Sequence, residues 1–248
     1  ARSCAPQSPP QLPAVQAPAV RNSLSRRVAA EGLGTALLLS AVTGSGIMGD
    51  RLSPDNSAVA LLANSLATGA ALIALILTCG PVSGAHFNPL VTLSSAIRGK
   101  FSWGLAWSYL TVQLLGALLG VMLAHVMFAE PRLLAPSAHV RSGAAQWLSE
   151  GIATFGLLTV IASCGRRSTE RAAVAVGLYI AAAYWFTAST SFANPAATIA
   201  RSFTPTFVGI RPVDAPAFVI AQTMGAAASF WVSGWLFPED AGSLQEME

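Results

Sequence analysis

Two Asn-Pro pairs, Asn88-Pro89 in HFNPLVTL and Asn194-Pro195 in FANPAATI, are the residues in this chain best placed to do chemistry. Asparagine is a favoured helix N-cap and proline a favoured first helical residue, so each pair marks a helix start. An amide that caps through its oxygen still carries two N–H donors for another acceptor. Glu31 in AAEGLGTALLL and Glu150 in LSEGIATFGLL stand in apolar surroundings, where a carboxylate is costly and calls for a structural or functional reason. Gln113 in QLLGALLG and Gln222 in QTMGAAAS are further polar side chains set in apolar stretches. His86 and His125 read as structural hydrogen-bonding groups, and Cys79 and Cys164 as small apolar packing residues. No His/Cys/Asp/Glu cluster has metal-ligand spacing and no nucleophile-base pair is recognisable, so no metal, no cofactor and no enzymatic activity are expected.

The elements that must position these residues are membrane helices. Of the 248 residues 53% are apolar and only 10% are charged, against about 25% charged in soluble domains, and mean hydropathy is +0.57. The net charge of +3 is too small to imply a nucleic-acid partner. Six segments are long and apolar enough to span a bilayer, about 28–49, 57–80, 103–128, 145–164, 172–187 and 215–237. Pro81 and Gly84 are expected to end the second. Two short segments, Pro89 to Ile97 and the one opened by Pro195, cannot cross and read as half-helices. Residues 1–25 read as a disordered Pro-rich tail, 26–238 as a channel domain and 239–248 as an acidic tail. Arginines before span one, at the Arg98/Lys100 turn and from Arg166 to Arg171 put that side in the cytoplasm, with both termini, in the cell's inner membrane.

Self-comparison exposes a repeat. Glu, Asn-Pro and Gln recur in the same order in residues 26–128 and 144–238, and each copy holds three spans. An odd number of spans forces the two copies into opposite orientations, which creates a central pathway. Both half-helices then point their N-termini at the midplane, where their dipoles repel cations and their Asn amides offer donors to uncharged polar molecules. The non-helical approaches supply Gly84, Ala85, His86, Phe87, Thr190, Phe192 and Ala193 as a track of backbone carbonyl acceptors, since backbone at membrane depth must face a wet cavity. Glu31 and Glu150 are expected to brace the N–H groups of these loops, with Gln113 and Gln222 as similar supports.

The repeat, the SGAHFNPLVTL and SFANPAATIAR loops and the paired glutamates resemble the aquaporin and aquaglyceroporin family over about residues 26 to 238. That resemblance implies an all-α membrane protein with six transmembrane helices, two re-entrant half-helices and inverted three-helix repeats. It also implies a homotetramer with one pore per subunit, membrane lipid and small neutral solutes as partners, and a gate of Asn88, Pro89, Leu90, Asn194, Pro195 and Ala196. The family's outer filter maps onto Thr68, Ser191 and Ala197, with Tyr184, Ala181 or Ala182 as the residue from span five. Two departures bear on the solute: Ala197 occupies the family's arginine position, and Leu90 replaces alanine beside the first Asn-Pro. Arg201, one turn beyond Ala197, either replaces the missing charge or ends its helix on the outer surface.

A filter of small side chains favours solutes larger than water. The SFANPAATIARSFT and YWFTASTSF stretches look most like the bacterial subgroup linked to arsenical resistance, implying passage of water, glycerol and arsenite as its neutral trihydroxide, without ions or protons. The alternatives are a water and glycerol channel without a metalloid role, and an ion-coupled secondary transporter, a class that also uses inverted repeats and broken helices.

Overall fold

A computed structural model describes residues 23–164 and 168–237. The tail up to residue 22, the loop arginines Arg166 and Arg167, and the acidic tail lie outside the described residues. The described residues form eight helices: α1 (Leu24–Leu52), α2 (Ser57–Ser83), α3 (Pro89–Ile97), α4 (Trp103–Met127), α5 (Ala144–Cys164), α6 (Thr169–Phe186), α7 (Pro195–Arg201) and α8 (Ala215–Leu236). Five of them, α1, α2, α4, α5 and α8, are long and apolar enough to cross a bilayer. The sixth, α6, has 18 residues and carries Glu170 in its first turn, which lowers its apolar character without shortening its path.

Side-chain caps explain most starts. Ser23, Asn56, Ser102 and Ser168 each accept a hydrogen bond from the backbone N–H three residues on, satisfying a donor that the first turn leaves unpaired. Capping by Ser168 also explains why α6 begins at Thr169, earlier than hydropathy predicts. Helix α1 runs on through Asp50 and Arg51, where Arg51 bonds the Phe128 carbonyl and pairs with Glu130 at 2.7 Å. Pro81 does not end α2. It lies inside the last turn, and Gly84 ends the helix in a left-handed conformation (φ 91°) that favours a residue without Cβ.

The helices pack in equivalent pairs: α1 against α4, α5 against α8, with α2 joined to α6 between the pairs. In lipid the hydrophobic effect cannot hold apolar helices together, so close backbone approach must do it. A Cβ on Gly116 of α4 would strike the Gly32 carbonyl of α1, and one on Gly225 of α8 would strike that of Gly151 on α5. Half-helices α3 and α7 fill the space left inside, touching each other and both α4 and α8.

Candidate functional site

Each loop that carries an Asn-Pro is held by one carboxylate. Glu31 Oε1 accepts from Ser83 Oγ at 2.7 Å and the His86 N–H at 2.8 Å, while Oε2 accepts from the Phe87 N–H at 2.8 Å and Gln113 Nε2 at 2.9 Å. In the second copy Glu150 Oε1 accepts from Ser189 Oγ at 2.6 Å and the Phe192 N–H at 2.8 Å. Its Oε2 accepts from the Ala193 N–H at 2.9 Å and Gln222 Nε2 at 2.6 Å. Gln113 and Gln222 then donate to Thr92 and Thr198, whose hydroxyls donate to the Asn88 and Asn194 carbonyls. The loops need such support. Gly84, Ala85 and Phe87 in one, and Thr190, Ser191 and Ala193 in the other, have positive φ, which strains a residue with a side chain by on the order of 1 kcal/mol or more.

This bracing delivers the two asparagines to each other. Asn88 caps α3 through its Oδ1 on the Leu90 N–H, and its Nδ2 donates to the Ala193 carbonyl at 2.7 Å. Asn194 caps α7 on the Ala196 and Ala197 N–H groups, and its Nδ2 donates to the Phe87 carbonyl at 2.8 Å. The bonds cross from one repeat to the other. Each amide uses one N–H in this way and retains a second. The Phe87 and Ala193 carbonyls, expected as part of the acceptor track, are therefore already accepting from protein, with one lone pair remaining on each.

A cavity of about 340 Å³ passes these residues. It runs from Thr169 and Ala172 at the start of α6, past Asn88 and Asn194, to Thr68, Tyr184 and Arg201. Of the track residues, Gly84, Ala85, His86, Phe87, Phe192 and Ala193 line it; Thr190 does not, and its hydroxyl accepts from Arg141 instead. Leu90 and Ala196 are buried outside the lining, as is Pro195. Leu90 packs with Leu158 and Ala226 because helical geometry turns it away from the cavity, so its bulk does not narrow the passage. Val91 and Ala197, three residues after each Asn, line the cavity in its place. Sequence reading did not single out Val91, although its equivalence to Ala197 in the repeat was available.

The far end of the cavity settles which span-five residue faces inward. Tyr184 lines it and shares a 3.2 Å hydrogen bond with Thr68, whereas Ala181 packs toward Gly69 and Ala182 is exposed. Ser191 also lines this end, and its buried Oγ has no hydrogen-bond partner. Arg201 is 2% exposed and so does not lie on the outer surface. Its Nε donates to the Val208 carbonyl at 2.6 Å, and its guanidinium lies 3.3 Å over the Phe192 ring, the stacked arrangement of a cation–π pair. A second guanidinium, Arg141, comes from the connection between α4 and α5. It is 8% exposed, donates to the Gly209 and Ser189 carbonyls at 2.8 and 3.1 Å, and stands 5.1 Å from the Phe192 ring. Burial holds the Arg141 pKa below the ordinary guanidinium value, against opposing pulls from Glu150 and Tyr184. Nothing in its spacing announces this, because the first repeat has no equivalent. His125 is structural, with Nε2 2.7 Å from Thr204 Oγ1 and Nδ1 beside the Arg132 and Leu133 carbonyls.

The sequence profile described as "Major intrinsic protein" matches residues 19–172. The chain belongs to that family. This major intrinsic protein is 54% identical over 213 residues to aquaglyceroporin AqpS of Rhizobium meliloti (strain 1021), covering 86% of this chain and 91% of that protein. It is 31% identical over 216 residues to aquaporin NIP1-1 of Zea mays, covering 83% and 73% respectively. The X-ray structure of the aquaglyceroporin from Plasmodium falciparum matches it with a TM-score of 0.65 at 20% identity, over 91% of this chain and 100% of that one, a likeness of fold. The expected aquaporin fold is thus the observed one, and the chain is a multi-pass membrane protein of a channel family related to the bacterial aquaglyceroporins.

Proposed function

We propose that this protein is a passive channel for small uncharged hydroxylated solutes: water, glycerol and arsenite as its neutral trihydroxide, with ions and protons excluded. Residues 26–238 form the channel as two inverted copies, 26–128 and 144–238, in a homotetramer of the cell's inner membrane with both termini cytoplasmic. The observation that carries the reading is the crossed pair of bonds from Asn88 to Ala193 and from Asn194 to Phe87, inside a cavity that runs between the two ends of α6. Locked in that geometry, each Asn presents its remaining N–H to the cavity. A neutral hydroxyl group can accept from it while donating to the neighbouring carbonyl lone pairs, so the exchange with water is nearly even. A cation meets donors where it needs acceptors, together with the positive end of the nine-residue α3.

The outer constriction in this reading consists of Thr68, Tyr184, Ser191, Ala197 and Arg201. With Ala197 at the family's arginine position, the charge comes from one helical turn further on and is stacked against Phe192, which leaves room for a three-hydroxyl solute. The unpartnered Ser191 hydroxyl supplies a donor and acceptor at that point. Glycerol passage has support from the name of the relative AqpS, and arsenite from the likeness of the second loop to the arsenical-resistance subgroup.

Stopped-flow light scattering on proteoliposomes tests the reading with water, glycerol, urea and arsenite. The expected result is downhill flux of glycerol and arsenite, unchanged by a proton or sodium gradient. Uphill uptake driven by either ion replaces the channel with a coupled transporter, and water flux alone removes the larger solutes.

A further inference from the structure

A second cavity, of about 250 Å³, lies between α3, α5 and α8 at the face where α1 begins and α8 ends. It shares Val91, Ser95 and Ile161 with the channel cavity, so it lies beside that end of the pore. Arg98 and Lys100 line it, and among the described residues no acidic side chain does. Arg98 is fixed rather than free to swing: its Nη2 donates to Ser233 Oγ at 2.7 Å and to the Phe230 carbonyl at 3.2 Å, and its guanidinium stacks 4.6 Å over the Phe230 ring. Both bonds leave from one nitrogen, so Nε and Nη1 are available to a ligand. No carboxylate pairs with Arg98 among the described residues. The α3 carbonyls that a C-terminal cation often serves are already taken, since the Arg98 and Lys100 N–H groups bond the Ser94 and Ser95 carbonyls. Ser94 and Ser95 add hydroxyls, and Leu158, Ile161 and Ala162 form an apolar wall on the opposite side.

We propose that this chamber binds a phosphate group of net negative charge, contributed by an anionic phospholipid. A guanidinium with two spare nitrogens, Nε and Nη1, beside serine hydroxyls is matched to phosphate oxygens. The apolar wall gives the glycerol backbone and the first acyl carbons a place that inorganic phosphate leaves unfilled, and this favours the amphiphile as the source. The site is independent of which solute the pore carries.

Native mass spectrometry of the full chain in detergent tests this with phosphatidylglycerol, phosphatidylcholine and inorganic phosphate as probes. Wild type is expected to retain phosphatidylglycerol over phosphatidylcholine. Arg98→Gln weakens that retention about tenfold, the loss of one charge-assisted contact, and Arg98→Lys restores part of it. Ala162→Phe fills the chamber while keeping the charge and also lowers retention, which holds the test open if Arg98 variants fold poorly. Displacement of the lipid by inorganic phosphate supports phosphate recognition and assigns a soluble source. Equal retention of phosphatidylglycerol by wild type, Arg98→Gln and Ala162→Phe overturns the proposal.

Discussion

The two Asn-Pro loops share one brace and differ in the side chains packed around it. In both, a glutamate takes a serine hydroxyl, two backbone N–H groups and a glutamine amide. The carbonyl at the head of each loop must also find a donor, and here the copies part. Ser83 O accepts from Tyr109 Oη at 2.8 Å, while Ser189 O accepts from Arg141 Nη1 at 3.1 Å, because Phe218 occupies the place of Tyr109 and has no hydroxyl. Around the first loop, His86 packs against Phe101 and Tyr109 with ring centroids 5.1 and 5.6 Å away. Around the second, Phe192 takes the place of His86 and lies between Phe218 and two buried guanidiniums. Equivalent backbone thus carries an imidazole among aromatic rings at one end, with the half-buried Arg27 5.3 Å over the Phe101 ring, and two buried guanidiniums around one ring at the other. The brace fixes geometry; the lining chemistry varies without disturbing it.

The largest effect should come from the shared part. Glu31→Ala and Glu150→Ala each strand two buried backbone N–H groups and a glutamine amide, and each should cost on the order of 3–5 kcal/mol, read as a fall in thermal unfolding temperature in detergent. An effect confined to one copy would mean the braces are not equivalent. Next comes the unshared support: Arg141→Gln leaves the Gly209 and Ser189 carbonyls without their partner and should cost about 2–3 kcal/mol while loosening the outer loop, seen as faster amide exchange there. Ala197→Arg sharpens the comparison at the level of transport. It should cut glycerol and arsenite flux severalfold more than water flux in stopped-flow measurements, and equal loss of all three would remove Ala197 from the constriction. The smallest change is Tyr109→Phe, which gives the first loop the residue of the second and should cost about 1 kcal/mol in the same unfolding assay.

How much of this was legible depended on how local the cause was. Asn-Pro as a helix start, the half-helix lengths and the equivalence of Glu31 with Glu150 follow from capping chemistry, segment length and recurrence within the chain. Pro81 misled, because a proline in the last turn of a helix displaces little; α2 continues to Ser83 and stops only where Gly84 allows a left-handed residue. Leu90 misled for a different reason. Its place next to Pro89 put it among the gate residues, but the helical turn that begins there swings it into the Leu158 and Ala226 cluster. Arg141 was invisible, since what buries it is the meeting of the α4–α5 connection with the Ser189 and Gly209 carbonyls, distant in sequence.

By itself the sequence determined a membrane-spanning chain with two oppositely oriented copies and two half-helices, because bilayer thickness, backbone hydrogen bonding and the parity of crossings admit few alternatives. Only the tertiary structure decided that each asparagine is tied to the opposite loop, that Tyr184 rather than Ala181 or Ala182 faces Thr68, and that Arg201 is buried against Phe192. Those outcomes depend on the rotation of packed helices and on contacts between residues as much as 116 positions apart, which no local pattern encodes.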